Sequence, residues 1–319
     1  MEKSYVIGID VGGTKTVAGI VNKRGEIIKE GSIATQKHAQ IEDYMDELSA
    51  LIHTLFKETG TQNQIKGIGA GVPNGNYFTG CIEAAANLRW KGEIPFAKLL
   101  EERTRIPVTL TNDANAAAIG EMMYGVARGM KDFIVITLGT GVGSGIVANG
   151  QLIYGHDGFA GELGHVTIRR ENGRPCGCGK SGCLETYTSA TGVARTAREF
   201  LEMKTDDSLL RNIPVEKMTS KDVFDAAMAG DKMAKEIFEF TGEMLGEAFA
   251  DFVAFSSPEA IILFGGLSKA GDLIMKPIRE SMEKNMVSIY RGKVKLLFSE
   301  LKENDAAVLG ASALGWETK

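Results

Sequence analysis

The sequence predicts an α/β fold with central sheets in two lobes. Two observations support this prediction. Apolar segments of strand length alternate with helical patterns along the 319 residues, without a low-complexity stretch or an obvious linker. The motif of a strand, a glycine-rich turn and a second strand also occurs twice, once after Ile9 and again after Leu138. Such a repeat suggests an internal duplication in which each half offers one glycine-rich loop.

The composition is ordinary for a soluble globular protein, with 44% hydrophobic and 24% charged residues. The net charge of −5 argues against non-specific nucleic-acid binding, which needs clustered Lys and Arg. No apolar run approaches the roughly 18 residues that span a bilayer, and the first strand starts at Tyr5 without a signal peptide before it. Because the cysteine pattern fits a reducing compartment, we expect a cytoplasmic protein that binds neither membranes nor nucleic acid.

The first hairpin pairs a buried strand at residues 5–9 with a second strand at residues 16–21. Its loop differs from a Walker A loop, which opens a helix. This loop can still bind phosphate, because the N–H groups of glycine can approach phosphate oxygens closely. The residues assigned to ATP or its Mg²⁺ here are Asp10, Gly12, Gly13, Thr14 and Lys15. The alternative, a plain glycine turn with a capping Asp, stays open at this stage.

The next segment predicts an amphipathic helix at residues 41–58 and a strand at residues 65–72. The strand ends in a turn-rich loop that contains Gly75 and Asn76, and such loops often carry sites. A helix at residues 95–104 and a strand at residues 107–110 follow.

Asn112 and Asp113 follow that strand and open a helix rich in small residues. In an open α/β sheet, ligands bind outside the carboxyl ends of the strands, where Asp113 lies. We therefore consider Asp113 as a general base. A capping Asp with no chemistry is the alternative, since a negative charge is favoured at a helix N-terminus.

The second hairpin has a strand at residues 133–138, a glycine-rich turn that includes Thr140 and Gly141, and a return that turns at Asn149 and Gly150. Its repetition of the first hairpin favours a phosphate-binding role for both loops. The resemblance of its glycine spacing to a dinucleotide motif is weak evidence, because a strand follows and not a helix.

Three of the four cysteines, Cys176, Cys178 and Cys183, lie within eight residues, and His165 stands upstream of them. Thiolates and an imidazole are the ligands that Zn²⁺ prefers, so we predict a zinc site with these four ligands. A disulfide or reduced core cysteines are the alternatives. Four protein ligands leave no open position, which favours a structural ion. Two carboxylates, Glu162 and Glu185, flank the ligands.

The remaining chain predicts helices at residues 194–203, 220–229, 231–255 and 305–316, and strands at residues 258–264 and 294–298. Gly242 and Gly246 within the long helix indicate close packing against a neighbour. Gly265 and Gly266, at a strand end, would let adenine lie against the backbone, although a plain strand-to-helix turn explains them equally well.

Six motifs occur in an order that resembles the ROK family of the actin-like sugar-kinase superfamily: Asp10–Lys15, Asn112–Asn115, Leu138–Gly143, Gly161–His165, Cys176–Glu185 and Phe264–Gly266. The resemblance covers essentially the whole chain. It implies a two-lobed actin-like (ribonuclease-H-like) sugar kinase fold with a cleft between lobes. We expect the N-terminal lobe to comprise residues 1–118 and 303–319, and the C-terminal lobe residues 119–302 with a zinc-binding loop at residues 161–185.

The resemblance also implies that Asp113 is the catalytic base and that His165 contacts the sugar while it ligates zinc. The other implied sugar contacts are Gly75, Asn76, Asn87, Asn112, Glu162 and Glu185. The implied ATP contacts include Thr140, Gly141, Gly265 and Gly266 besides the first loop. Relatives more often carry Gly or Pro where this chain has residues 74–76, which leaves the identity of the sugar open.

The implied reaction is ATP- and Mg²⁺-dependent phosphorylation of a hexose. Residues 185–192 are similar to the glucokinase branch, so the 6-hydroxyl of glucose is the preferred acceptor. N-acetylmannosamine, N-acetylglucosamine, fructose and allose are alternatives. A sugar-sensing repressor is disfavoured, because only four residues precede the first strand and no basic segment is present. The family resemblance implies a homodimer or homotetramer.

Overall fold

The structure, a computed structural model, describes residues 3–85, 88–301 and 303–318, and it describes residues 303 and 304 by their backbone alone. Its contacts group into two compact units. The first comprises Met1–Met130, Gly145–Gly161 and Ser299–Lys319, and the second comprises Lys131–Ser144 and Glu162–Phe298. No helix of the described residues is long and apolar enough to cross a membrane.

The strands and helices of the described residues follow the alternation that the sequence predicts. The strands are β1 (Tyr5–Val11), β2 (Lys15–Asn22), β3 (Ile27–Ala34), β4 (Ile65–Gly71), β5 (Gly75–Asn76), β6 (Cys81–Glu83), β7 (Glu93–Ile94), β8 (Val108–Thr111), β9 (Phe133–Leu138), β10 (Val142–Ala148), β11 (Gln151–Leu152), β12 (Ala260–Phe264) and β13 (Lys295–Phe298). The helices are α1 (Ile41–Thr59), α2 (Phe96–Thr104), α3 (Asp113–Tyr124), α4 (Glu185–Thr188), α5 (Ala190–Met203), α6 (Ser220–Met228), α7 (Lys232–Ser256), α8 (Asp272–Asn285) and α9 (Glu303–Gly315).

The first sheet has the strand order β3-β2-β1-β4-β8, with β1, β4 and β8 parallel. Successive residues of a strand face opposite sides of the sheet. Ile7 and Ile9 therefore belong to the core cluster that includes α1, whereas Val6 packs with Val308 of α9 on the other side. A Cβ at Gly8 would overlap the Val308 carbonyl oxygen. The glycine thus lets α9 lie directly against β1.

The second sheet has the order β11-β10-β9-β12-β13, in which β9, β12 and β13 are parallel. This order repeats the topology of the first sheet and supports the predicted internal duplication. In the second unit, α7 and α8 pack closely. A Cβ at Gly242 would lie 2.5 Å from Pro277, and one at Gly246 would lie 2.5 Å from Ser281. The predicted role of these two glycines is therefore confirmed.

Some element bounds differ from the prediction. Helix α5 begins at Ala190, four residues early, because the Ser189 hydroxyl caps it by accepting from the Gly192 N–H at 3.0 Å. Residues 145–161, expected in the C-terminal lobe, group with the first unit. A Cβ at Gly145 would lie 2.6 Å from Ala118, so this hairpin packs tightly on α3. The lobe boundaries themselves stay a prediction.

Candidate functional site

The first glycine turn, residues 12–14, connects β1 to β2 and is held by its own backbone and by residues after β3. The Gly12 N–H donates to the Lys15 carbonyl at 3.0 Å. The Gln36 amide donates to the Gly13 carbonyl at 2.6 Å, and the Thr35 N–H donates to the Thr14 carbonyl at 2.9 Å. Because the Gly12 N–H is already used, the N–H groups of Gly13 and Thr14 are the donors that this turn can offer to a phosphate.

Asp10 lies at the carboxyl end of β1, in register with the ends of two neighbouring strands. It pairs with Gly71 of β4, which in turn pairs with Thr111 of β8. This row brings Asp10 to the same sheet edge as Asp113. Burial, and secondly the negative charge of Asp113, raise the pKa of Asp10 to about 6. A cation that bound between the two carboxylates would relieve this repulsion.

Asp113 is the first residue of α3, and the N-cap is its neighbour Asn112. The Asn112 Oδ1 accepts from the Asn115 N–H at 2.7 Å, so the capping function proposed as the alternative for Asp113 belongs to Asn112. The Asp113 Oδ1 accepts from the Ala114 N–H at 2.8 Å. Solvent still reaches the Asp113 side chain, but burial among the surrounding protein atoms raises its pKa. The result is an accessible carboxyl of increased basicity.

The loop after β4 is fixed by Gly75 and Asn76. A Cβ at Gly75 would lie 2.6 Å from the Thr111 carbonyl, so glycine lets β5 approach β8. The Asn76 side chain is buried, donates to the Asp157 carbonyl at 2.8 Å and accepts from the Phe78 N–H at 3.0 Å. Its amide therefore fastens two loops to each other, and its contact with a sugar stays a prediction. Asn87 lies outside the described residues.

The second glycine turn, residues 139–141, lies between β9 and β10 in the second unit. The Gly139 N–H donates to the Gly141 carbonyl at 3.0 Å, and the Thr191 hydroxyl donates to the Thr140 carbonyl at 2.9 Å. A Cβ at Gly141 would overlap the Glu185 carboxylate, which accepts from the Val142 N–H at 2.9 Å. The turn is thus built around the Glu185 side chain, a contact that the sequence analysis missed.

Gly265 and Gly266 directly follow β12 and lie beside this second turn, because Phe264 of β12 pairs with Thr137 of β9. Gly265 has φ +105°, a conformation that side chains disfavour, and a Cβ there would lie 2.7 Å from the Leu138 carbonyl. A Cβ at Gly266 would meet open space. A cavity of about 210 Å³ also adjoins the turn, lined by residues that include Thr140, Thr191, Arg198 and Met218.

His165, Cys176, Cys178 and Cys183 converge in the second unit, with one ligand atom of each within 4.8 Å of the others. The Cys178 and Cys183 sulfurs are 3.6 Å apart, and the Cys176 sulfur is 3.6 Å from His165 Nδ1. The three cysteines are free thiols, so the disulfide alternative is wrong. Two Zn–S bonds of about 2.3 Å at a tetrahedral angle place their sulfurs about 3.8 Å apart. The residues therefore fit a tetrahedral zinc ion.

Of the three predicted sugar contacts of the second unit, His165 belongs to this cluster, and Glu162 and Glu185 lie beside it. His165 directs Nδ1 towards the cysteines, while Nε2 is 3.9 Å from the Glu162 carboxylate. Glu185 Oε1 is 3.8 Å from the Cys176 sulfur. One imidazole can therefore hold a metal through Nδ1 and present Nε2 to a ligand. The cluster and the second glycine turn share Glu185, which places them in one contiguous site.

Arg174 is a supporting residue that the sequence analysis also missed. It is 7% exposed, and its guanidinium lies 4.4 Å from the Tyr187 ring centroid. It donates to the Thr186 carbonyl at 2.8 Å and also contacts Glu199 of α5. These contacts fasten the base of the cysteine loop to α4 and α5. A single arginine carries no spacing signal that would have identified it.

Comparison with known proteins gives consistent matches over the whole chain. The model of the ROK family covers residues 6–317. A glucokinase of Halalkalibacterium halodurans is 39% identical over 100% of this chain and 96% of its own length. A putative xylose repressor of Caldicellulosiruptor sp. is 30% identical over 97% of this chain and 77% of its own length.

The fold matches solved structures equally well. A ROK family glucokinase from Streptomyces griseus, solved in complex with glucose and AMPPNP, has a TM-score of 0.81. It is 32% identical, and the match covers 98% of this chain and 99% of that protein. The predicted family and the predicted two-lobed actin-like α/β fold are confirmed.

Proposed function

The chain belongs to the ROK family, and we propose that it is an ATP-dependent hexose kinase that phosphorylates the 6-hydroxyl of glucose. The single observation that carries the chemistry is Asp113, an accessible carboxyl of raised pKa at the carboxyl end of β8. The glucokinase relative, and the similar structure described with glucose and AMPPNP, support the choice of substrates.

Asp113 accepts the proton of the attacking hydroxyl. Phosphoryl transfer asks a protein mainly for positioning and charge stabilisation, and a positioned base adds on the order of 10²–10⁴ in rate. A raised pKa brings the base closer to the pH at which it works. Asn112 is fixed as the α3 cap through its Oδ1, so its amide N–H groups are the part that faces a sugar.

Each of the two glycine turns offers donors for nucleotide phosphates. The first offers the N–H groups of Gly13 and Thr14 with the Lys15 charge beside them, and the second offers Thr140. Gly266 leaves open space at the backbone where adenine can lie. Mg²⁺ would be held by Asp10, directly or through water, and would supply charge screening for the β- and γ-phosphates.

Zinc would be held by His165, Cys176, Cys178 and Cys183, and it would supply structural order to their loop. The loop in turn directs Glu162, the Nε2 of His165 and Glu185 towards the sugar hydroxyls. These four ligands fill the tetrahedral coordination of zinc, so no position is left at the ion for a substrate or a water molecule.

The wider context is part of the same proposal. Reduced thiols that can ligate a metal suit the cytoplasm, and the family resemblance favours a homodimer or homotetramer. The Caldicellulosiruptor relative makes a sugar-sensing repressor the second candidate. An accessible carboxyl of raised pKa is needed for transfer but not for sensing, and it favours the kinase.

The test is a coupled ADP-release assay across a panel of hexoses and N-acetylhexosamines. We expect turnover with glucose, and a loss of at least about 10²-fold in kcat for Asp113→Asn with glucose affinity nearly unchanged. Glucose binding by calorimetry in the variant separates catalysis from binding. Normal turnover in Asp113→Asn would remove the base, and glucose binding without any turnover in the wild type would favour the sensor.

A further inference from the structure

Two residues that follow β3, Thr35 and Gln36, bridge the first glycine turn to the segment after the predicted sugar contact Asn87. Towards the turn, the Thr35 N–H donates to the Thr14 carbonyl at 2.9 Å, and the Gln36 amide donates to the Gly13 carbonyl at 2.6 Å. Towards the segment of residues 88–90, the Gln36 carbonyl accepts from Arg89 Nη1 at 3.3 Å. Gln36 is therefore bonded on both sides.

A buried path runs parallel to this bridge. The Thr16 hydroxyl is 2.8 Å from the Thr35 hydroxyl and 2.8 Å from the Tyr44 hydroxyl. The Tyr44 ring lies 4.6 Å from the Trp90 ring, centroid to centroid. Thr16, Thr35 and Tyr44 are fully buried, so these hydroxyls depend on one another for hydrogen bonds. Trp90 thus packs against Tyr44, whose hydroxyl bonds to Thr16 near the start of β2.

The contacts of Gln36 and Thr35 orient two peptide planes. A peptide bond is planar and trans, so its carbonyl and the following N–H point in opposite directions. When Gln36 holds the Gly13 carbonyl on one side, the Thr14 N–H is directed to the other side. In the same way, Thr35 directs the Lys15 N–H. Glycine has no side chain that could fix the first of these planes, so its orientation depends on the Gln36 amide.

We propose that Gln36 is a positioning residue that orients the Thr14 N–H for the nucleotide phosphates and couples this turn to residues 88–90, which follow the predicted sugar contact Asn87 in sequence. The inference rests on the proposed function, because it takes the turn to bind phosphate. Coupling is reciprocal: if bound glucose tightens nucleotide binding by some factor, then nucleotide tightens glucose binding by the same factor. Removal of the Gln36 donor lowers that factor in both directions.

The experiment measures calorimetric dissociation constants for glucose and for AMPPNP with Mg²⁺, each alone and with the other ligand saturating. Gln36→Glu keeps the shape of the side chain and removes its N–H donors, and Gln36→Ala removes the side chain. Lys37→Ala is the matched control, because Lys37 is the next exposed residue and pairs with Glu47 instead of the turn. Unfolding temperatures are recorded for all variants.

For Gln36→Glu and Gln36→Ala, we expect the AMPPNP dissociation constant to rise about 3- to 10-fold, the range expected for one hydrogen bond. Glucose binding alone stays within about twofold of the wild type, and the coupling factor falls towards one, while Lys37→Ala keeps all wild-type values.

Three results would overturn the inference and leave the proposed function intact. They are wild-type coupling in both Gln36 variants, no coupling in the wild type, and equal weakening of both ligands with a lowered unfolding temperature. Wild-type protein that binds neither ligand would overturn the proposed function and the inference together.

Discussion

The two glycine turns have the same topology but are held in different ways. The first, after β1, is held by Thr35 and Gln36, which donate hydrogen bonds to its carbonyl groups. The second, after β9, accepts one hydroxyl bond from Thr191 and is built around the Glu185 carboxylate, which takes the Val142 N–H. One turn is therefore fastened by neutral donors, and the other by a carboxylate.

Because different residues hold the two turns, their conformations depend on different parts of the molecule. Glu185 also lies 3.8 Å from the Cys176 sulfur, so the second turn shares a side chain with the cysteine cluster. The residues that hold the first turn, Thr35 and Gln36, lie within the first unit. We therefore expect the loss of zinc to affect the second turn through Glu185 and to leave the first turn unchanged.

The largest expected effect comes from removal of zinc. Structural zinc binding is worth roughly 10–16 kcal/mol in small peptides, so chelation, or Cys178→Ser, should strongly lower the stability of the second unit. Amide exchange should rise at residues 139–143 and around Glu185, and it should stay unchanged at residues 12–14. Glucose affinity should fall together with stability.

Cys81→Ser is the control for this experiment, since Cys81 is a buried thiol outside the cluster. If both turns gain exchange equally after chelation, or if stability and glucose affinity survive the loss of metal, then the asymmetry and the proposed role of zinc are wrong.

A smaller effect is expected from adding one methyl group to each turn. A Cβ at Gly141 would overlap the Glu185 carboxylate, whereas a Cβ at Gly12 would lie 3.0 Å from the Lys15 carbonyl. Gly141→Ala must displace Glu185 from the Val142 N–H, and we expect it to cost about 1–3 kcal/mol of stability. Gly12→Ala needs a shift of only a few tenths of an ångström and should cost less than about 1 kcal/mol.

Chemical denaturation of the two variants measures these costs, and their kcat and KM for ATP show whether each turn still serves catalysis. Glu185→Ala removes the carboxylate that a Cβ at position 141 would meet, so Glu185→Ala with Gly141→Ala forms a double-mutant cycle. Additive effects in that cycle would show that Gly141 and Glu185 do not act together.

The site could be predicted in the places where its parts are close in sequence. The four cluster residues, His165 to Cys183, lie within one short stretch of the sequence. The two glycine turns follow apolar strands, and each strand can be predicted from its own sequence pattern. Asn before a helix is a favoured N-cap, but the capping role was considered for Asp113 and not for Asn112. The structure shows that Asn112 is the cap, and its contact with a sugar stays a prediction.

The contacts that hold the turns could not be predicted. Glu185 meets Val142 across 43 residues, and Gln36 meets Gly13 across 23. Neither pair has a periodicity or spacing that identifies it, because strand pairing and loop docking bring these residues together. Arg174 is similar: its buried guanidinium takes its meaning from Tyr187 and α5, not from its place before Cys176.

The smallest expected effect concerns the charge beside the first turn. The pKa of Asp10 is raised from 3.8 to about 6 in the folded protein, chiefly by burial and then by Asp113. A carboxyl with a raised folded pKa stabilises the fold below its unfolded pKa, and this contribution is lost as the pH rises through the folded value. The contribution of Asp10 to wild-type stability should therefore decline between about pH 4 and pH 6–7 in the absence of Mg²⁺.

Asp10→Asn removes this titration and tests the assignment. At pH 7.5 without Mg²⁺ we expect the variant to be more stable than the wild type by on the order of 1–2 kcal/mol, with the advantage gone near pH 4. Denaturant titrations at several pH values measure the difference, and Asp46→Asn, an exposed carboxylate on α1, is the control.

Added Mg²⁺ with AMPPNP should stabilise the wild type more than the variant, since the cation removes the repulsion between Asp10 and Asp113. A stability difference that is independent of pH would mean that ionisation of Asp10 does not destabilise the fold. The pair of charged carboxylates, Asp10 and Asp113, would then be no reason for a metal ion to bind beside the first turn.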